Sequence, residues 1–149
     1  MTLQNIIAFC STGARILAVE DMGIQVRLLQ IALEQANYEF LAARDGKEAL
    51  EKATTLEPDL ILLDLELPDL NGFQVLHQLR QDSKTQHIPV IMLTAHAKDA
   101  AFFEENRREG DVFMTKPYNP TELITTIERI LSVQAQRGPS GDRLSSFYE

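Results

Sequence analysis

Five short apolar runs punctuate the chain, at residues 15–19, 38–42, 60–63, 89–93 and 112–114. Four of them are almost continuously apolar, as strands buried on both faces of a parallel sheet must be. The second, Tyr38-Glu39-Phe40-Leu41-Ala42, is more polar and reads as an edge strand. Longer stretches between the runs carry apolar residues at helical spacing. Val26, Leu29, Ile31 and Leu33 predict a helix over 24–36. Ala49, Leu50 and Ala53 predict one over 46–56, closed by Pro58, because the residue before a proline leaves the helical region. Phe73, Val75, Leu76 and Leu79 mark a third helix over 72–80, and a fourth is expected over 97–108. In the fifth, over 119–131, Pro120 suits the first turn, and Leu123, Ile124, Ile127, Ile130 and Leu131 repeat along one face. Strict alternation of five strands with five helices predicts a doubly wound α/β fold around a parallel sheet.

Two local features refine this. Phe102 and Phe103 are neighbours on the fourth helix, about 100° apart around its axis, so both cannot face the sheet. One of them is then a partly exposed apolar residue or a docking spot for a partner. Asn71-Gly72 is expected to form a turn in which the glycine can take positive φ and shape the loop after Asp64.

Length and charge narrow the function. At 149 residues the chain holds one domain of ordinary size. Its 44% apolar content fits a globular protein. With 14 basic and 22 acidic residues the formal charge is −8. That disfavours nucleic acid and anionic membranes, whose phosphates need clustered Lys and Arg. No apolar run approaches the ~18 residues that span a bilayer. The single cysteine, Cys10, excludes an internal disulfide and a cysteine-based zinc site, and fits an inert thiol in a reducing, cytoplasmic setting. Residues 1–13 carry no charge, and their apolar stretch is too short for a secretory signal. They are expected to be a flexible extension, or alternatively to pack Ile6 and Phe9 onto the body. The body is expected over 14–132. Residues 133–149, with Gly138, Pro139 and Gly141, are expected to be a flexible tail too short for an output domain.

Ligands of open α/β sheets bind beyond the carboxyl ends of the strands. The polar residues at those ends are Glu20 and Asp21 after the first run, Asp64 after the third, Thr94 after the fourth and Lys116 after the fifth. Three acids, a hydroxyl and an ammonium therefore meet at one sheet edge. Close carboxylates repel one another, and a hard divalent cation such as Mg²⁺ relieves that. A carboxylate can also attack phosphorus to give an aspartyl phosphate, whose equatorial oxygens a metal, a Lys and a hydroxyl can neutralise. His77 and His87 look like surface residues, and the three histidines form no ligand cluster.

The segments Ile16-Leu17-Ala18-Val19-Glu20-Asp21, Asp64-Leu65-Glu66-Leu67-Pro68-Asp69-Leu70-Asn71-Gly72, Leu93-Thr94-Ala95 and Phe113-Met114-Thr115-Lys116-Pro117 together resemble the response-regulator receiver domain of two-component signalling. The resemblance covers about 14–132. It implies a flavodoxin-like fold with strand order 2-1-3-4-5 and helices on both faces. It implies Asp64 as phosphoacceptor, Asp21 as a direct Mg²⁺ ligand, the backbone carbonyl of Glu66 as a further ligand, and Glu20 acting through water. Thr94 and Lys116 would hold the phosphoryl group, and Phe113 matches the aromatic that rotates on phosphorylation. Glu66 and His96 would sit at the rim, where the family tunes the lifetime of the phosphoryl group. Glu20 stands where Asp is commoner, and Glu109-Gly110-Asp111 departs from the usual Gly-Ala-Asp, so a different turn is expected there.

The expected activity is therefore that of a stand-alone phosphoacceptor. It would take its phosphoryl group from a histidine kinase or a His-containing phosphotransfer protein and signal to a downstream protein. It is not expected to be an enzyme beyond slow self-dephosphorylation. Three alternatives compete. A haloacid-dehalogenase-like phosphatase would want Asp where Glu66 stands. A flavodoxin-like cofactor binder would want a phosphate loop where Glu20-Asp21-Met22 stands. A receiver-like interaction module that is never phosphorylated typically lacks an acid or the Lys, and this chain lacks none.

Overall fold

The computed structural model describes residues 13–108 and 110–137. The expected extension up to residue 12, with Cys10, Ile6 and Phe9, lies outside the described residues, as do Glu109 and residues 138–149. The strands are β1 (Arg15–Val19), β2 (Glu39–Ala43), β3 (Leu60–Asp64), β4 (Val90–Thr94) and β5 (Val112–Thr115). The helices are α1 (Gly23–Gln35), α2 (Gly46–Leu56), α3 (Gly72–Gln81), α4 (Ala100–Asn106) and α5 (Pro120–Arg137). The strands form one parallel sheet in the order β2-β1-β3-β4-β5. This is the flavodoxin-like arrangement.

Strand periodicity divides the core in two, because successive side chains point to opposite faces. Leu17, Val19, Ile61, Leu63, Val90 and Met92 face one side, where Ala49 and Ala53 of α2, Val75, Leu76 and Leu79 of α3 and Phe103 of α4 cover them. Ile16, Ala18, Leu60, Leu62, Ile91 and Leu93 face the other, beneath Leu29 and Leu33 of α1 and Leu123, Ile127 and Ile130 of α5. β3 and β4 are buried along their whole length, whereas the edge strand β2 is exposed at its start and half-buried through the middle. Among the described residues no helix is long and apolar enough to cross a membrane.

Where element ends differ from the sequence pattern, local hydrogen bonding explains it. Tyr38 closes α1 instead of opening β2: Asn37 takes a left-handed φ of 69° and the Tyr38 amide donates to the Leu33 carbonyl at 3.0 Å. The stretch 97–108 is not one helix. A 3₁₀ turn, Ala97–Asp99, precedes α4, and neither start has a side-chain cap. At the far end α5 continues through Arg137, past the body boundary expected at Ser132. No glycine or proline interrupts it before Gly138. The turn before β5 depends on Gly110, whose φ of 96° favours a residue without a Cβ.

Of the adjacent aromatics, Phe103 is fully buried and Phe102 is 51% exposed, set edge-on to Phe73 with ring centroids 4.5 Å apart. One of the pair is exposed, as their angular separation requires.

Opposite the carboxyl edge of the sheet, Asp111 ties four segments together. It accepts from Arg80 Nη2 at 2.6 Å, from the Val90 amide at 3.0 Å and from the Arg108 amide at 3.1 Å. Arg80 Nη1 also donates to the Ile88 carbonyl at 2.9 Å. Removing one partner of a buried pair leaves the other charge uncompensated, at a cost of about 3–5 kcal/mol. Asp111→Ala should therefore lower the unfolding free energy by that much, read as a lower denaturant midpoint at unchanged slope. Asp111→Asn, which keeps an acceptor for the amides, should cost less. Equal losses in the two variants would remove the charge from this account.

Candidate functional site

The sheet ladder positions the site. Beyond β1, β3 and β5 the backbone pairing runs on by one residue. The Glu20 amide donates to the Ala43 carbonyl at 3.0 Å, Leu65 to Leu93 at 2.9 Å and Lys116 to Thr94 at 2.7 Å. Glu20, Asp64, Thr94 and Lys116 therefore leave rigid backbone at neighbouring positions. Glu20 is 2% exposed, Asp64 5%, and Thr94 is fully buried. Asp21, one residue further out, is exposed.

Lys116 Nζ lies at the centre. It donates to Glu20 Oε2 at 2.8 Å, to Gln25 Oε1 at 3.0 Å and to Asp64 Oδ2 at 3.3 Å. Asp64 Oδ1 accepts from the Glu66 amide at 3.0 Å, and Thr94 Oγ1 accepts from the His96 amide at 3.0 Å. Burial pushes the Glu20 carboxyl above its ordinary value; the Lys116 hydrogen bond opposes this, and the charge of Asp64 adds to the rise. Burial alone would lower the Lys116 ammonium, but its hydrogen bond to Glu20 and the charges of Asp64 and Glu20 win and hold it above its ordinary value. Tyr118 is pushed up to about 12, first by burial and then by the charges of Glu20 and Asp64.

The loop between β3 and α3 is fastened at both ends. Asp69 accepts from the Gly46 amide at 2.7 Å and the Lys47 amide at 3.0 Å, at the start of α2. These bonds, that of Gly46 foremost, hold its carboxyl below the usual range. Asn71 caps α3, and its side chain and that of Gln74 bond reciprocally to each other's backbone amides. Gly72 is needed for close approach and not, as expected, for positive φ. Its amide donates to the Leu65 carbonyl at 2.8 Å, and a Cβ there would lie 2.8 Å from both the Asp64 carbonyl oxygen and the Leu65 Cα.

Glu20, Asp21 and Asp64 each offer a carboxylate oxygen within 4.8 Å of the others. An all-oxygen donor set of this kind fits a hard cation such as Mg²⁺. At the rim, His96 Nε2 and Glu66 Oε1 are 2.5 Å apart, and both side chains are about half exposed. Phe113 is half-buried against Phe103, with ring centroids 5.5 Å apart. His77 and His87 are exposed.

Every strand-end residue singled out in the sequence is thus at this edge. Two residues were missed. Gln25 sits in the first turn of α1, and nothing in its sequence context separates it from a solvated helix position. Asp69 had one available signal, an acid in the loop after a candidate nucleophile.

Comparison with known proteins bears on the whole body. The family model for the response regulator receiver domain matches residues 16–128. The chain is 42% identical over 130 residues to the alkaline phosphatase synthesis transcriptional regulatory protein PhoP of Bacillus subtilis, spanning 86% of this chain and 52% of that one. It is 36% identical over 118 residues to the polar-differentiation response regulator DivK of Brucella anthropi, spanning 78% and 94%. Among solved structures it matches the chemotaxis response regulator CheY4 of Vibrio cholerae at 32% identity and a TM-score of 0.72, covering 80% of this chain and 99% of that one. It also matches the receiver domain of the sensor histidine kinase PA1611 from Pseudomonas aeruginosa, solved with a magnesium ion coordinated in its active site cleft. That match has 26% identity and a TM-score of 0.74, and covers 81% and 99%. The strand order, the acidic cluster beside a partly buried lysine and the family match over most of the body agree, and the chain belongs to the response regulator receiver domain family of two-component signalling.

Proposed function

We propose that this receiver accepts a phosphoryl group on Asp64 and works as a single-domain switch. The observation that carries this is the placement of Asp64 between a lysine ammonium and a set of carboxylates suited to a cation. One Asp64 oxygen attacks phosphorus, and the bond from phosphorus to the donor's nitrogen or oxygen breaks, its electron pair leaving with the donor. Lys116 then turns an N–H from Asp64 to a phosphoryl oxygen, and the Thr94 hydroxyl donates a second hydrogen bond. Asp21, Asp64 and the Glu66 carbonyl are the groups that would hold Mg²⁺, with Glu20 acting through water. The ion supplies positive charge against the phosphoryl oxygens when bound. Phe113, packed on Phe103, is the aromatic that would carry the change towards α4.

The donor in this scheme is a histidine kinase or His-containing phosphotransfer protein. Such a partner must land beside Asp64, and Met22, just before α1, with Ile24, Leu28 and Ile31 on it, exposes apolar surface next to the site. The likeness along 94% of DivK supports action as a single domain, with an unidentified protein downstream and Mg²⁺ as cofactor. A cytoplasmic location suits these partners. The phosphatase alternative would need Glu66 as a general acid, and Glu66 is instead engaged with His96.

With Mg²⁺ and acetyl phosphate the protein should gain one base-labile phosphoryl group by mass spectrometry, and Asp64→Asn should gain none. Full labelling of the variant would overturn the assignment.

Mg²⁺ at ~100 times its Kd should stabilise by about 2.7 kcal/mol, roughly 5–10 °C in a domain of this size. Asp21→Ala should lose that response. The response should also weaken as pH falls towards the Glu20 range, from a higher pH than an ordinary Glu at 4.5 dictates, because the ion and the proton compete. Without metal the sign reverses. A raised carboxyl contributes stability below its unfolded value, and that stability is lost as pH rises through its folded value. Melting curves against pH, with Glu20→Gln as the flat control, check both signs.

The Glu66–His96 pair lies across the rim where water must approach a phosphoryl group on Asp64. Phosphoryl loss should therefore be slow, and faster in Glu66→Ala, His96→Ala and the double variant. Direct coupling predicts that the double variant loses the group no faster than the quicker single variant. Equal decay in all four proteins would remove the pair from the mechanism.

A further inference from the structure

Lys116 has three N–H donors, and each points to a different element: Glu20 after β1, Gln25 on α1 and Asp64 on β3. These acceptors differ in kind. Glu20 and Asp64 belong to the carboxylate cluster that would turn to a cation, and Asp64 is also the atom group to be phosphorylated. Each has a second claim on its oxygens once the site is loaded. Gln25 has none. Its side chain is an uncharged amide, it is no member of the carboxylate cluster, and its Oε1 is a committed acceptor at 3.0 Å.

We propose that Gln25 is the positioning residue of the phosphoryl site: it anchors the Lys116 ammonium in every state of the site and aims one N–H at the phosphoryl group. The proposal rests on the reading of Asp64 as phosphoacceptor. Without that anchor, an ammonium competed for by Glu20 and by the loaded Asp64 is free to swing on its four-carbon stem. The Lys116 backbone is already fixed by its bond to Thr94, so the amide at Gln25 acts on the side chain alone. Gln25 sits in the first turn of α1, whose packing on the sheet is carried by Leu29 and Leu33, so replacing it need not disturb the fold.

Gln25→Met keeps the shape and removes the oxygen, whereas Gln25→Glu keeps an oxygen at the same reach. Two readouts separate the anchor from the phosphoacceptor reading. The first is hydrogen exchange of the Lys116 ammonium by nitrogen-15 NMR. Gln25→Met should speed it about tenfold, the factor carried by a hydrogen bond of ~1.4 kcal/mol, and by more with Mg²⁺ present than without. Gln25→Glu should restore slow exchange. Unchanged exchange in Gln25→Met, or a change of the same size with and without Mg²⁺, overturns the proposal whatever Asp64 does. The second is calorimetric binding of beryllofluoride, a phosphoryl mimic, at saturating Mg²⁺. Gln25→Met should bind it about tenfold more weakly with an unchanged Mg²⁺ affinity. An equal loss of Mg²⁺ affinity would mark a general disturbance of the site and overturn the positioning role. Failure of the wild-type protein to bind beryllofluoride would overturn the phosphoacceptor reading, and the exchange measurement would still decide the anchor.

Discussion

One ammonium holds the carboxyl edge of this protein together. Glu20 and Asp64 are buried acids brought side by side by adjacent strands, and burial, with the charge of Asp64 adding to it, raises the cost of ionising Glu20. Lys116, from the far side of the sheet, neutralises that field and hydrogen-bonds to both. A buried charge pair of this kind is a poor source of net stability, because desolvation offsets much of the attraction. Its value is positional. The strain of packing like charges is what makes the edge ready for a cation or a phosphoryl group.

The rest of the structure serves to keep that edge in register. A parallel sheet buried on both faces by five helices has little freedom to slide, because a one-residue slip would turn each strand's side chains to the wrong face. The backbone bonds that continue past β1, β3 and β5 extend this rigidity to Glu20, Leu65 and Lys116 themselves. Gly72 lets α3 start against the end of β3, and Asp69 straps the intervening loop to α2. The exposed side chains of the site are left at the rim: Asp21 and the Glu66–His96 pair.

Most of the fold was legible because each strand and helix repeats its own period. The five runs each appear within one residue of their expected ends. Errors fall where a local hydrogen bond outweighs periodicity. Tyr38 is as apolar as a strand residue, but the left-handed Asn37 assigns it to the end of α1. The 97–108 stretch has helical composition, but without a capping side chain it opens as a 3₁₀ turn. The N-terminal extension and most of the tail lie outside the described residues, so the domain limits proposed for them stand as expectations.

Residue order alone determined the layers, the strand order implied by the family resemblance, and the convergence of Glu20, Asp21, Asp64, Thr94 and Lys116, because strand ends share one edge whatever their distance in sequence. Side-chain direction was a different matter. That Asp64 and Lys116 meet at 3.3 Å, that Glu66 turns to His96, and that Phe103 and not Phe102 enters the core depend on rotamers chosen by neighbours from distant segments. Gln25 shows the limit best. On the chain it is one polar residue among many at a helix start, with no period and no motif to mark it. Only when α1 packs across the sheet does its amide come within 3.0 Å of a lysine 91 residues away.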